Sequence, residues 1–169
     1  MDVPLKKNDH CLVGDTKVKT ANGYIKIKDL VGKSGIVYTI DSNGNECISK
    51  FNDVRCTREN AKVIKLVFEN GGEVVCTPDH AILTLDGWVE AQDITKNSNV
   101  LTLKGTTRLV SILDFGVENV YNMEVEDTHC FAVSCGDIIV HNCLDSIRYG
   151  LLWLQPKNKI KNAGINVGI

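Results

Sequence analysis

A chain of 169 residues with 43% hydrophobic content suits one compact domain with short tails. Its net charge of −2 excludes a basic surface for wholesale binding of nucleic acid or of an anionic membrane. No run reaches the roughly 18 apolar residues of a membrane span, and the opening MDVPLKKNDH lacks the apolar core of a signal peptide. The expectation is therefore a cytoplasmic, monomeric protein with reduced thiols.

In chain order, the body reads as β. Short runs rich in Val, Ile, Thr, Tyr and Phe alternate with turn signals at Ala21-Asn22-Gly23, Asp41-Ser42-Asn43-Gly44, Glu69-Asn70-Gly71-Gly72, Asp86-Gly87 and Cys135-Gly136-Asp137. That spacing predicts many short antiparallel strands in one all-β domain. Only Thr57–Asn60 and Ala91–Ile94 read as isolated helical turns. From residue 143 the character changes: Leu144, Ile147, Leu151, Leu152 and Leu154 recur at helical spacing and Pro156 ends the run. The pattern divides the chain into 1–10, 11–142 and 143–169.

The body also repeats itself. Val18–Leu30 aligns without gaps on Ile82–Ile94, both matching T-x-[ND]-G-[YW]-[IV]-x-x-x-D-[LI]. Carried upstream at the same offset, Asp15-Thr16 meets Asp79-His80. The length of the match points to a duplicated β-unit rather than to two ordinary hairpins with similar turns.

Seven cysteines are many for such a chain, yet the number is odd and no C-x-x-C pair occurs. Neither a disulfide scaffold nor a purpose-built zinc site is expected, although His129, Cys130, Cys135, His141 and Cys143 cluster in sequence. Cys47, Cys56 and Cys76 read as structural thiols. Cys130 and Cys135 are expected near any reactive site.

Two cysteines stand at chemically marked positions. Cys11 opens Cys11-Leu12-Val13-Gly14-Asp15-Thr16, and Cys143 closes His141-Asn142-Cys143. Asn can attack its own carbonyl carbon through its side-chain nitrogen, forming a succinimide and cutting the chain behind itself. A neighbouring imidazole can polarise that carbonyl. Cysteine is the best side-chain nucleophile near neutral pH, so Cys11 can exchange the His10–Cys11 amide for a thioester. That step is uphill and needs a folded site to polarise the bond. Thr77 and His80, in Cys76-Thr77-Pro78-Asp79-His80, are spaced to contact one backbone amide together. A further segment runs from Val120 through Asn122 to His129.

These four segments resemble, in order, the A, B, F and G blocks of inteins, whose Hint fold is shared with hedgehog autoprocessing domains. The resemblance covers Cys11 to Cys143: C-L-x-G-D-T, then T-P-D-H, then V-Y-x-x-x-V-x-x-x-H, then V-H-N-C. The stretch between His80 and Val120 is too short for a homing endonuclease, so the resemblance is to a mini-intein. It implies a horseshoe-like all-β fold of two pseudo-symmetric halves, with residues 11–142 as the splicing domain, 1–10 and 143–169 as flanks, and a short helix in the C-terminal flank. It also implies roles. Cys11 forms the thioester while Thr77 and His80 polarise the His10–Cys11 bond. Cys143 takes the acyl group, and Asn142 cyclises with help from His141 and His129. The flanks are the only implied partner, and no cofactor or metal is required.

Asn122 departs from the pattern. Many inteins carry Asp there, a carboxylate thought to transfer protons between the first two steps; Asn can only hydrogen-bond. Either splicing is slower, with side cleavage, or Asp127 substitutes from nearby. The joined flanks would read Asp9-His10-Cys143-Leu144-Asp145-Ser146-Ile147-Arg148-Tyr149, similar to D-H-x-x-D-[AS]-x-R-Y in the nuclease domain of phage large terminases. One alternative is an intein-like Hint domain that cleaves without efficient ligation, which Cys143 argues against. A β-rich binding module is another. Hedgehog-like sterol transfer is disfavoured, because the chain has no sterol-recruiting extension.

Overall fold

The computed structural model describes residues 11–142. The expected helix after Cys143, both flanks, and the junction residues His10 and Cys143 lie outside the described residues.

Thirteen strands form one continuous antiparallel system. They are β1 (Leu12–Val13), β2 (Lys17–Thr20), β3 (Gly23–Lys26), β4 (Gly35–Ile40), β5 (Glu46–Phe68), β6 (Glu73–Cys76), β7 (Ala81–Thr84), β8 (Gly87–Glu90), β9 (Val100–Thr102), β10 (Gly105–Thr107), β11 (Leu109–Val125), β12 (Cys130–Val133) and β13 (Ile138–His141). The fold is all-β as expected. Among the described residues no helix is long and apolar enough to cross a membrane. Ala91–Asp93 is the expected helical turn, here 3-10, and Ile27–Leu30 is its counterpart. Thr57–Asn60 is no turn: it lies inside the 23-residue strand β5. The local Asn and Glu content misled, because pairing with β11 along most of the strand overrides propensity.

The duplication is present in the hydrogen bonds. β2 pairs with β3 through Lys17↔Lys26, Val18↔Ile25, Lys19↔Tyr24 and Thr20↔Gly23. β7 pairs with β8 through Ala81↔Glu90, Ile82↔Val89, Leu83↔Trp88 and Thr84↔Gly87. In each turn the Thr hydroxyl donates to the Gly carbonyl, at 2.7 Å for Thr20–Gly23 and 2.8 Å for Thr84–Gly87. Gly23 and Gly87 sit at φ 101° and 111°, which a side chain would strain. The same device recurs at Thr102–Gly105, a third copy that the sequence pattern did not expose.

The match also runs upstream. Thr16 N–H donates to Val13 O at 3.0 Å, and His80 N–H to Thr77 O at 3.1 Å. Ile27 N–H donates to Thr16 O, and Ala91 N–H to His80 O, both at 2.8 Å. The turns Val13–Thr16 and Thr77–His80 are therefore copies of one another. Leu12 faces Cys76 in the β1–β6 pair, so the two halves meet through equivalent residues, as a pseudo-two-fold axis requires.

Two features position the site. β5, β11, β1 and β6 close a ring, because β1 pairs with both β11 and β6 while β5 pairs with both β11 and β6. The two-residue β1 is thus gripped on both edges. The β12–β13 hairpin then bridges the halves, β12 joining β2 at Val133↔Val18 and β13 joining β7 at Val140↔Ile82. Both of its strands are buried on both faces, which explains their unbroken apolar runs.

At the hairpin's outer turn, the Tyr24 hydroxyl donates to Asp137, whose other oxygen lies 3.7 Å from Lys19 Nζ. Burial first, and then that hydrogen bond, push the Tyr24 phenol from its ordinary 10.0 up to about 12. A raised phenol value means that the fold favours the protonated form. The contribution is complete below the unfolded value and fades as pH climbs through the folded one. In a Cys11→Ala, Asn142→Ala background, Tyr24→Phe should flatten the fall in melting temperature between about pH 10 and 12. An unchanged slope would assign that fall to other groups.

Candidate active site

Cys11 is fully buried, with Val13, Ala61, Val63 and Val120 in a small apolar cluster. Its backbone is clasped to the duplicated turn: Cys11 N–H donates to Thr77 Oγ1 at 3.1 Å, and Thr77 N–H returns to Cys11 O at 3.0 Å. The amide nitrogen held by Thr77 is that of the His10–Cys11 bond. His80 is buried in the same turn, its backbone N–H bonded to Thr77 O at 3.1 Å. The glycine of C-L-x-G-D-T has a packing reason: a Cβ on Gly14 would come within 2.9 Å of the Tyr121 ring. Its Asp15 is a surface carboxylate 3.0 Å from Lys28 Nζ, held below its ordinary value first by that hydrogen bond.

Polar side chains of the described residues approach the thiol. Thr57 Oγ1 is 2.8 Å from Cys11 Sγ, and Asn122 Nδ2 is 4.0 Å away on another side. Asn122 is oriented by its own strand, its Oδ1 accepting from Met123 N–H at 2.8 Å. It therefore presents nitrogen to the sulfur. Asp127, the other candidate for that part, is exposed in the turn after β11, at φ 62°, while Cys11 is buried.

A second cluster surrounds Asn142. His141 Nδ1 is 2.7 Å from the Asn142 carbonyl oxygen. A carbonyl can only accept, so this ring nitrogen carries the proton. The Trp88 ring meets the His141 ring edge-on, centroids 4.7 Å apart at 74°, fixing its plane. Asn142 N–H donates to His129 O at 3.0 Å. In the orientation that satisfies both ends of its carboxamide, the nitrogen donates to His129 O at 2.8 Å and the oxygen accepts from Val125 N–H at 2.9 Å. His129, at φ 57°, thus holds Asn142 through its backbone carbonyl.

The other cysteines separate cleanly. Burial pushes the Cys76 thiol well up, and the Cys130 thiol up to about 11. Cys130 lies across from His141 in the β12–β13 register. Cys135, expected near the site, is exposed in the turn at the hairpin's opposite end. Four-residue strands keep the two thiols apart. Among the described residues no group of His, Cys, Asp or Glu is placed to hold a metal.

Comparison with known proteins agrees with this architecture. A DnaB intein from Synechocystis sp. PCC 6803 superposes with a TM-score of 0.73 at 27% identity, covering 79% of this chain and 99% of that one. This is the Hint fold of inteins. A DnaX mini intein from Spirulina platensis matches this Hint domain with a TM-score of 0.69 at 25% identity, over 78% of this chain and 99% of that one. In sequence, a DNA gyrase protein from Synechocystis sp. is 36% identical over 100 residues, 55% of this chain but 9% of that protein. A probable translation initiation factor from Methanocaldococcus jannaschii is 33% identical over 110 residues, 54% of this chain but 10% of that protein. The chain thus spans only a small part of the curated relatives it matches. No protein-family model matches. The likenesses support a mini-intein, with protein splicing or self-cleavage as its general activity.

Proposed function

We propose that residues 11–142 excise themselves and join His10 to Cys143. One observation carries this reading: both ends of the domain are docked on one strand. Leu12 pairs with Tyr121, and the Asn142 carboxamide binds Val125, four residues or about 13 Å further along β11. Ligation needs the two junctions together, whereas cleavage alone needs each junction only by itself. Short matches within a gyrase protein and within an initiation factor are the pattern expected of an element inserted into unrelated hosts.

In the first step the Cys11 sulfur attacks the His10 carbonyl carbon, and the C–N bond breaks onto the Cys11 nitrogen. Thr77 holds that nitrogen, and His80, from the same turn, protonates it. Cys143 then takes the acyl group from Cys11, giving a branched chain. His141 polarises the Asn142 carbonyl, the Asn142 side-chain nitrogen closes the succinimide, and the Asn142–Cys143 C–N bond breaks onto the Cys143 nitrogen, which leaves as a free amine as the domain departs. A sulfur-to-nitrogen shift restores a peptide bond between His10 and Cys143. No cofactor is consumed, and the partners are the chain's own flanks. With Asn122 beside the thiol in place of a carboxylate and Asp127 on the surface, proton transfer between the first two steps falls to other groups. That makes side cleavage a competing outcome. The joined flanks would restore a terminase-like Asp9-His10-Cys143-Leu144-Asp145 stretch in a cytoplasmic host.

The test is intact mass of every species after expression, beside the Cys11→Ala, Asn142→Ala variant. Splicing gives Cys11–Asn142 ending in a succinimide or its hydrolysis product, together with one peptide joining Met1–His10 to Cys143–Ile169. Separate flanks would assign cleavage without ligation. A chain that stays whole under reducing conditions would overturn the proposal.

A further inference from the structure

Thr57 carries no motif, yet it touches the nucleophile. The reason lies in the register. β5 pairs Arg58 with Val120 and Cys56 with Tyr121, consecutive residues on β11, so Thr57 is the extra residue of a β-bulge. Bulges re-aim side chains and recur beside active sites. This one turns Oγ1 to 2.8 Å from Cys11 Sγ and 3.3 Å from Val120 O.

We propose that Thr57 is a catalytic residue of the first step, a rotating hydroxyl that serves the thiol at rest and the thiolate as it forms. The proposal rests on the splicing reading above. At rest Thr57 accepts from S–H and donates to Val120 O. When the proton leaves sulfur, the hydroxyl turns and donates to S⁻, offsetting part of the cost of a buried anion. Sulfur then bonds to the His10 carbonyl carbon, and the C–N bond breaks onto the Cys11 nitrogen. The proton lost by sulfur is balanced by the one gained at nitrogen, and Thr57 neither gains nor loses one. Asn122 Nδ2, 4.0 Å from the sulfur, supports the same anion from its own side. Hydroxyl and carboxamide together supply dipoles where a carboxylate would supply charge.

The test isolates the first step in an Asn142→Ala, Cys143→Ala background, following release of Met1–His10 by hydroxylamine. Thr57→Val, which keeps the shape, should slow release about ten- to a hundredfold, the worth of a hydrogen bond to a charged group. The rising limb of its pH–rate profile should move to higher pH. Thr57→Ser should stay within about threefold of the parent, since it keeps the hydroxyl. Equal rates and profiles for Val, Ser and parent would overturn the role and leave Thr57 as packing. Cleavage after Asn142 in a Cys11→Ala background reports whether Thr57→Val is folded; if it is not, Thr57→Ala replaces it under the same criteria. A parent that releases nothing would instead sink the splicing reading itself.

Discussion

His141→Ala should slow cleavage after Asn142 by about 10²- to 10⁴-fold, the usual worth of a positioned proton donor. Asn cyclisation drives negative charge onto the Asn142 carbonyl oxygen as the side-chain nitrogen adds. His141 Nδ1–H already sits 2.7 Å from that oxygen, so stabilisation grows with the charge and needs no rearrangement. The imidazole is held by the edge-on Trp88 ring and by burial at 1% exposure. The measurement is a mass time course in a Cys11→Ala background, where only Asn142 can react. Thioester formation at Cys11, followed separately with hydroxylamine in an Asn142→Ala background, should keep its rate, because Cys11 is held by Thr77 and β11. A His141→Ala chain that cleaves as fast as its parent would leave the 2.7 Å contact without a catalytic meaning.

Phe131→Ala should cost about 3–5 kcal/mol of stability, a large part of the roughly 5–15 kcal/mol that holds a typical domain together. Phe131 is fully buried in the main core and pairs with Val140 across the β12–β13 hairpin. That hairpin joins the two duplicated halves, so the cavity would open where they meet. Urea unfolding in the Cys11→Ala, Asn142→Ala background reads the loss directly. A loss below about 1.5 kcal/mol would mean that the site collapses around the gap, and that the hairpin is not the main tie between the halves.

Much of this was legible in the sequence because the relevant signals are local. The paired T-x-[ND]-G turns, the positions of Cys11 and Asn142, and the unbroken apolar runs of β12 and β13 are written within a few residues each. The duplication could be followed from Val18, and upstream to Asp15, because its turns impose composition. What stayed hidden depends on register or backbone. Thr57 reaches Cys11 only through a bulge, and a bulge is a property of two strands together. The anchors of Asn142 are the backbone N–H of Val125 and carbonyl of His129, which leave no side-chain signature. Cys135 is a related case: its nearness in sequence to His129 did not carry into space, because it lies in the turn at the other end of β12.

The grip on β1 also sets when the reaction can begin. Cys11 leaves the ribosome before the groups that hold it, for its contacts include Thr57, Thr77 and Asn122, 46, 66 and 111 positions later. Closing such loops is the slow part of folding a β-rich chain. Until β6 and β11 have been made and paired, the thiol has no clasp and the His10–Cys11 amide is an ordinary peptide bond. His141 and Asn142 arrive last, with the hairpin that joins the halves. For the proposed reaction the topology would therefore act as a translation clock: the nucleophile is synthesised early and armed late, after nearly the whole domain exists to use it.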